Sequence, residues 1–207
     1  MPMFYNEGKL YSQNYRPELD KARLFRSSGP VTYPLSASDV KKHLNINSSD
    51  TTHDSLLTQY IDTAVRKYEE DTDTGIITQS WTQYFPVLQD GLRLAKNDVQ
   101  SVTSVKYYDS SNTQQTLSTD VYAFDETTGE IRLKAEQTFP ATYERWDAAE
   151  VVFVLGVGQS QVEPSVEHAL YLLIGAWFDG DRGDNPNPPT HKTYYNLIAN
   201  RQRATYP

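Results

Sequence analysis

The sequence predicts an α+β fold: a small helical bundle with an antiparallel β-domain inserted in it, plus extended N- and C-terminal arms. Three observations carry that expectation. Apolar residues recur at helical spacing near residues 54–74 and again near 164–178. Between them the period falls to two. Both changes of period sit at glycines, Gly75 and Gly158.

Residues 1–30 show neither period; they mix Tyr5, Tyr11 and Tyr15 with scattered charges and end at Ser27-Ser28-Gly29-Pro30, so they are assigned as an N-terminal arm. Residues 31–75 form the first part of the bundle. Ser36 can cap a short helix reaching Leu44, and Asp39 three residues on completes a capping-box pattern. A longer helix is expected from Asp54 to Thr74, with Leu56, Leu57, Tyr60, Ile61, Ala64, Val65 and Tyr68 in its stripe and Gly75 as its stop.

Residues 76–158 form the inserted β-domain. Trp81 and Phe85, Leu92 and Leu94, Val105 and Tyr107, Tyr122 and Phe124, and Ile131 and Leu133 alternate with polar neighbours. Asp90-Gly91, Asp109 to Asn112 and Thr128-Gly129 supply the turns. Val151 to Leu155 is apolar on both faces, which predicts a central strand. Residues 159–180 return to helix, opened by Pro164, with Val166, Ala169, Leu170, Leu173 and Trp177 in the stripe and Gly180 as the stop. Leu56, Leu57, Ile61, Val65, Leu170, Leu173 and Trp177 are the expected bundle core, because two half-apolar helices need each other as partners. Residues 181–207 form a C-terminal arm, stiffened by Pro186, Pro188 and Pro189.

Composition narrows the function. Cysteine is absent, which excludes disulfides, thiol catalysis and zinc-thiolate sites. The net charge of −8 repels phosphate backbones and argues against tight sequence-independent DNA binding. The longest apolar run, Ala169 to Phe178, is about half of the roughly 20 residues a membrane-spanning helix needs. Met1 to Leu10 lacks the apolar stretch of a signal peptide, so a cytosolic protein is expected, unless it leaves inside an assembly. Fifteen tyrosines suit large interfaces, where a surface must be buried yet keep a polar tip.

No catalytic residue, cofactor or metal ligand is expected. Glu69, Glu70, Asp71 and Asp73 are adjacent at the polar end of a helix and read as a solvated face, not as an acid–base pair sharing a cleft. Asp179 to Asp184 lacks the alternation and closing glutamate of a calcium loop. His43, His53, His168 and His191 lack metal-site spacing and read as surface or helix-packing residues. Leu155-Gly156-Val157-Gly158-Gln159 follows a strand but lacks a third glycine, so it reads as the turn from sheet to helix and not as a dinucleotide site.

Several segments, in order, resemble the head-tail connector (adaptor) proteins of tailed bacteriophages, a family also found in gene transfer agents. Pro34 to Leu44 resembles the family's capped opening helix, and His53 to Ile61 its second helix. Thr74-Gly75-Ile76-Ile77-Thr78-Gln79-Ser80-Trp81 is similar to its helix-to-strand exit, Val99 to Tyr108 to a recurrent strand, and Pro164 to Leu173 with Trp177-Phe178 to its closing helix. The resemblance implies a structural protein of the virion neck, made in the host cytoplasm, and not an enzyme. It implies a ring of about twelve copies that joins the portal protein to a downstream tail or neck protein, with double-stranded DNA passing unbound through its channel and no membrane contact. The C-terminal arm is then the expected portal-docking segment, with Tyr194, Tyr195, Leu197 and Ile198 as apolar anchors and Arg201 and Arg203 as charge-assisted contacts. A stopper or terminator ring is the alternative, opposed by the helix–sheet–helix order; a soluble enzyme such as a carboxylate hydrolase stands further off.

Overall fold

The computed structural model describes residues 4–6, 9–11, 23–180 and 192–199, the first two segments by backbone alone. Helix α1 (Ala37–His43) starts where its cap predicts: the Ser36 side chain accepts the Asp39 amide at 3.2 Å. Helix α2 (Asp54–Thr72) presents Leu57, Ile61, Ala64, Val65 and Tyr68 to the core. It ends at Asp73, which turns left-handed at φ 53°, so Gly75 is not the stop. Gly75 is needed for packing instead: a Cβ there would lie 2.6 Å from Gln79 Nε2 and 2.9 Å from Leu155 Cβ.

Helix α3 (Pro164–Gly180) packs across α2, and the short helix α4 (Lys192–Ile198) packs against α3. Leu57, Ile61 and Val65 meet Leu170, Leu173 and Ile174 in one apolar cluster closed by Leu35, Val40, Ile76 and Ile77. Trp177 is only half-buried and packs on this cluster from outside. Leu56 departs from the expectation: it is half-exposed and outside the core, because one residue's rotation from Leu57 carries it off the stripe. Replacing Leu57 or Leu170, each 0% exposed, by alanine should cost roughly 2–5 kcal/mol, read by urea unfolding.

The strands are β1 (Phe4–Asn6), β2 (Lys9–Tyr11), β3 (Leu24–Ser28), β4 (Gln79–Phe85), β5 (Leu92–Arg93), β6 (Val99–Tyr108), β7 (Gln114–Thr116), β8 (Tyr122–Asp125), β9 (Glu130–Leu133) and β10 (Ala149–Leu155). Strands β1 and β2 pair only with each other among the described strands. The main antiparallel sheet runs β3-β4-β10-β6-β7, and a smaller one runs β5-β9-β8. Phe85, Val105, Val151, Phe153 and Leu155 of the larger sheet and Leu92, Tyr122 and Ile131 of the smaller one form a second apolar core.

Strand β10 is central, paired with β4 and β6. Its two faces differ, however: Val151, Phe153 and Leu155 are fully buried, whereas Val152 and Val154 are half-exposed on the open side of the sheet. Strands β1, β2, β3 and β7 escape the sequence pattern. Residues 24–28, assigned above to the N-terminal arm, are an edge strand of the main sheet. Their polar side chains hide the period because they are bonded within the body: Arg26 donates to Gln79 Oε1 at 3.3 Å, and Ser27 and Thr82 share a hydroxyl–hydroxyl bond. Strand β7 is Gln-Gln-Thr, fully exposed, and is held by its backbone ladder to β6.

The chain leaves the helical core at Gly75 and returns through Gly156. There Ile77 and Val157 form a parallel bridge, with Thr78 N–H donating to the Val157 carbonyl at 3.0 Å and Val157 N–H to the Ile76 carbonyl at 3.1 Å.

Candidate interaction surface

Acidic residues expected on a solvated face turn out to be pins between elements, Glu70 apart. Glu69, near the end of α2, is 8% exposed; its Oε1 accepts Ile76 N–H at 3.0 Å and Gln79 Nε2 at 2.7 Å. The other face of the Gln79 amide accepts Arg26 and, at 3.2 Å, Trp81 Nε1. Lys96 lies 4.7 Å above the Trp81 ring and 3.7 Å from Asp73. Helix α2, edge strand β3 and strand β4 are thereby locked together at the junction of the two cores. A buried carboxylate is tolerated only when its lone pairs are matched by donors, and here they are. Glu69→Gln should cost roughly 1–3 kcal/mol, because the new NH2 must face either the two donors on Oε1 or Arg26 Nη1, 3.9 Å from Oε2; thermal unfolding reads it.

Asp71 does the same for the C-terminal helix. Lys67 Nζ donates to both of its oxygens, at 2.6 and 2.7 Å, and Tyr194 Oη donates to Oδ2 at 2.8 Å. Burial, then the bond to Asp71, pushes the Tyr194 phenol far above its ordinary pKa. Tyr194 is 0% and Ile198 1% exposed, both inside the subunit's own helical core. This corrects their assignment as free docking anchors: residues buried at home offer no apolar surface to a partner. Tyr195 stays 40% exposed, its ring 5.9 Å below Lys67 Nζ, and Leu197 is half-buried. Arg201, Arg203 and the proline-rich stretch lie outside the described residues.

His43 stacks on Tyr171 at 4.7 Å and His53 meets Phe178 edge-on at 5.6 Å, so both act in helix packing. Among the described residues no group of histidines and carboxylates is arranged to hold a metal ion. An open groove of about 1120 Å³ runs between the two cores, floored by Tyr68, Ile76, Val99 and Val166 and edged by Arg93 and Glu130.

The main exposed apolar feature lies elsewhere and was not legible in the sequence. Phe25, Tyr84 and Trp146 form a row, with Phe25–Tyr84 ring centroids 5.9 Å apart and Tyr84–Trp146 5.6 Å apart. Phe25 is 46% and Trp146 59% exposed. Beside them, Arg145 grips Asp147 through two bonds at 2.5 and 2.7 Å and covers the Tyr108 ring at 3.7 Å. That grip holds the Asp147 carboxyl below its usual range.

Two packed cores joined at a pair of glycines, with exposed aromatics on an open sheet face, define a two-lobed α+β module. Comparison with known proteins gives that class a likeness. Residues 36–137, just under half of the chain, match the model of the phage gp6-like head-tail connector proteins. No curated protein matches the sequence. Among solved structures, the fold is similar to a chain in the neck of an empty GTA particle computed with C6 symmetry, at TM-score 0.70 and 16% identity, covering 86% of this chain and 94% of that one. A chain in the virion of a native gene transfer agent particle matches at TM-score 0.69 and 16% identity, with the same coverage. A chain in the neck of a native GTA particle computed with C12 symmetry matches at 0.61 and 17%, covering 84% and 94%. At these identities the likeness is one of fold.

Proposed function

We propose that this chain is a head-tail connector subunit of the virion neck, in which about twelve copies form a ring between the portal protein and a downstream tail or neck protein. Genomic double-stranded DNA passes through the channel. The observation that carries the reading is the family match over residues 36–137, which spans α1 through β9. The net charge of −8 supports a channel that does not trap a passing duplex.

In this reading residues 31–75 and 159–180 build one helical lobe, and residues 76–158 are a β-domain inserted in it. The Ile77–Val157 bridge, where both crossings of the chain run side by side, supports the insertion. The arms are shorter than the sequence suggests, since β3 and α4 belong to the body. Portal docking is assigned on the C-terminal side to Tyr195, which is exposed, to the half-buried Leu197, and, by their charge alone, to Arg201 and Arg203.

The test mixes the full chain with portal rings and images the product by electron microscopy. A closed ring beneath the portal is expected, and a monomer that leaves portal rings bare would overturn the reading. Deleting residues 200–207 leaves α4 in place, so a loss of portal binding by that variant would assign docking to the tail.

A further inference from the structure

We infer that the N-terminal β-ribbon of a second copy of this chain seats on the open face of the main sheet, over Phe25, Tyr84 and Trp146. The inference rests on the reading that copies of the chain form a ring. The seat is an unusual surface for a subunit to leave wet. Three aromatic rings are already ordered against one another, two of them about half exposed, and Val152 and Val154 extend the apolar strip along β10. Aromatic rows of this kind are enriched at interface centres. The inner face of the same sheet is covered by the β5-β9-β8 sheet; with the described residues in place, Phe25 and Trp146 remain exposed.

The occupant follows from the arm. Strands β1 and β2 form a ribbon that pairs with no other described strand. A two-stranded hairpin is marginal in water unless it packs on something, and its sequence, Phe4-Tyr5-Asn6 and Lys9-Leu10-Tyr11, is rich in apolar and aromatic residues. The arm joins the body at the seat itself, where the Arg23 carbonyl accepts the Tyr84 amide at 3.1 Å. Residues 12–22 can span ~36 Å when extended, on the order of the ~30 Å width of a small domain, which is enough to reach an adjacent copy. An arm handed from each subunit to the next is a head-to-tail contact, the kind that closes rings.

Because the chain has no cysteine, disulfide trapping is clean. Asn6→Cys and Glu144→Cys are introduced together in the full chain and oxidised mildly, with the native mass measured in parallel. Expected are disulfide-linked dimers and a higher ladder that neither single variant gives. A ring with no ladder, or a cross-link confined to one chain, overturns the arm exchange and leaves the ring reading standing. A monomer with no ladder overturns both. A second variant, Phe25→Ser with Trp146→Ser, should speed tryptic cleavage at Lys9 several-fold while the far-UV spectrum is kept; an unchanged cleavage rate in the folded variant would also overturn the proposal.

Discussion

Replacing Tyr194 by alanine is expected to destabilise the protein by roughly 3–5 kcal/mol, lowering Tm by roughly 6–20 °C for a chain of this size. The side chain is among the largest fully buried ones, so its loss leaves a cavity between α2 and α4 that a short helix cannot fill by shifting. Its hydroxyl also donates to Asp71, which would lose that donor. Tyr194→Phe separates the two effects: the ring stays, one hydrogen bond goes, and the cost should drop to about 1–2 kcal/mol. A pH series adds an independent check. The folded-state pKa of Tyr194 is raised, so its contribution is full below the unfolded tyrosine value of about 10 and is lost as pH rises beyond it. Wild type should therefore lose stability above that pH more steeply than Tyr194→Phe. Equal alkaline limbs in the two proteins would show that the hydroxyl is not held as described.

What the sequence made legible follows from how each element is held. Helices α2 and α3 and strand β6 bury one side by contact with the same chain, and burial writes a period into the residues; the central strand β10 shows instead as an unbroken apolar run. Strands β3 and β7 are held by their backbone ladders, with polar side chains bonded inward or left in water, so no period marks them. The segment Tyr194 to Ile198 has the composition of a docking anchor and of a core helix alike. Only the placement of Lys67 and Asp71, far away in the chain, decides between them. Glu69 was hidden in the same way: a carboxylate at a helix end is solvated in most settings, and the donors that bury this one come from the next strand. The Phe25–Tyr84–Trp146 row is assembled from two strands and a loop, and no local pattern announces it.

The two glycines after β10 show the same limit at a single position and give the second large prediction. In sequence Gly156 and Gly158 are equivalent members of one glycine-containing turn. In the fold they are not. Gly156 has φ +75°, and a Cβ there would sit 2.4 Å from both the carbonyl carbon and the oxygen of Ile77 and 2.9 Å from the Thr78 nitrogen. Those atoms are backbone and cannot rotate away. Gly156→Ala must adopt a left-handed conformation that costs ~1–2 kcal/mol and must push apart the crossing where Thr78 N–H donates to the Val157 carbonyl and Val157 N–H to the Ile76 carbonyl. With the backbone bonds at ~0.5–1.5 kcal/mol each and overpacking at ~1–3, the total is roughly 3–8 kcal/mol. That approaches or exceeds the stability of many domains, so Gly156→Ala should fold poorly or melt far below wild type. Gly158 has φ −63°, and its nearest neighbour is the flexible Gln161 Oε1 at 3.2 Å. Gly158→Ala should therefore stay close to wild type in the same urea titration. If the two variants melt together, the close crossing at Ile77 and Val157 is not what holds the β-domain onto the helical lobe.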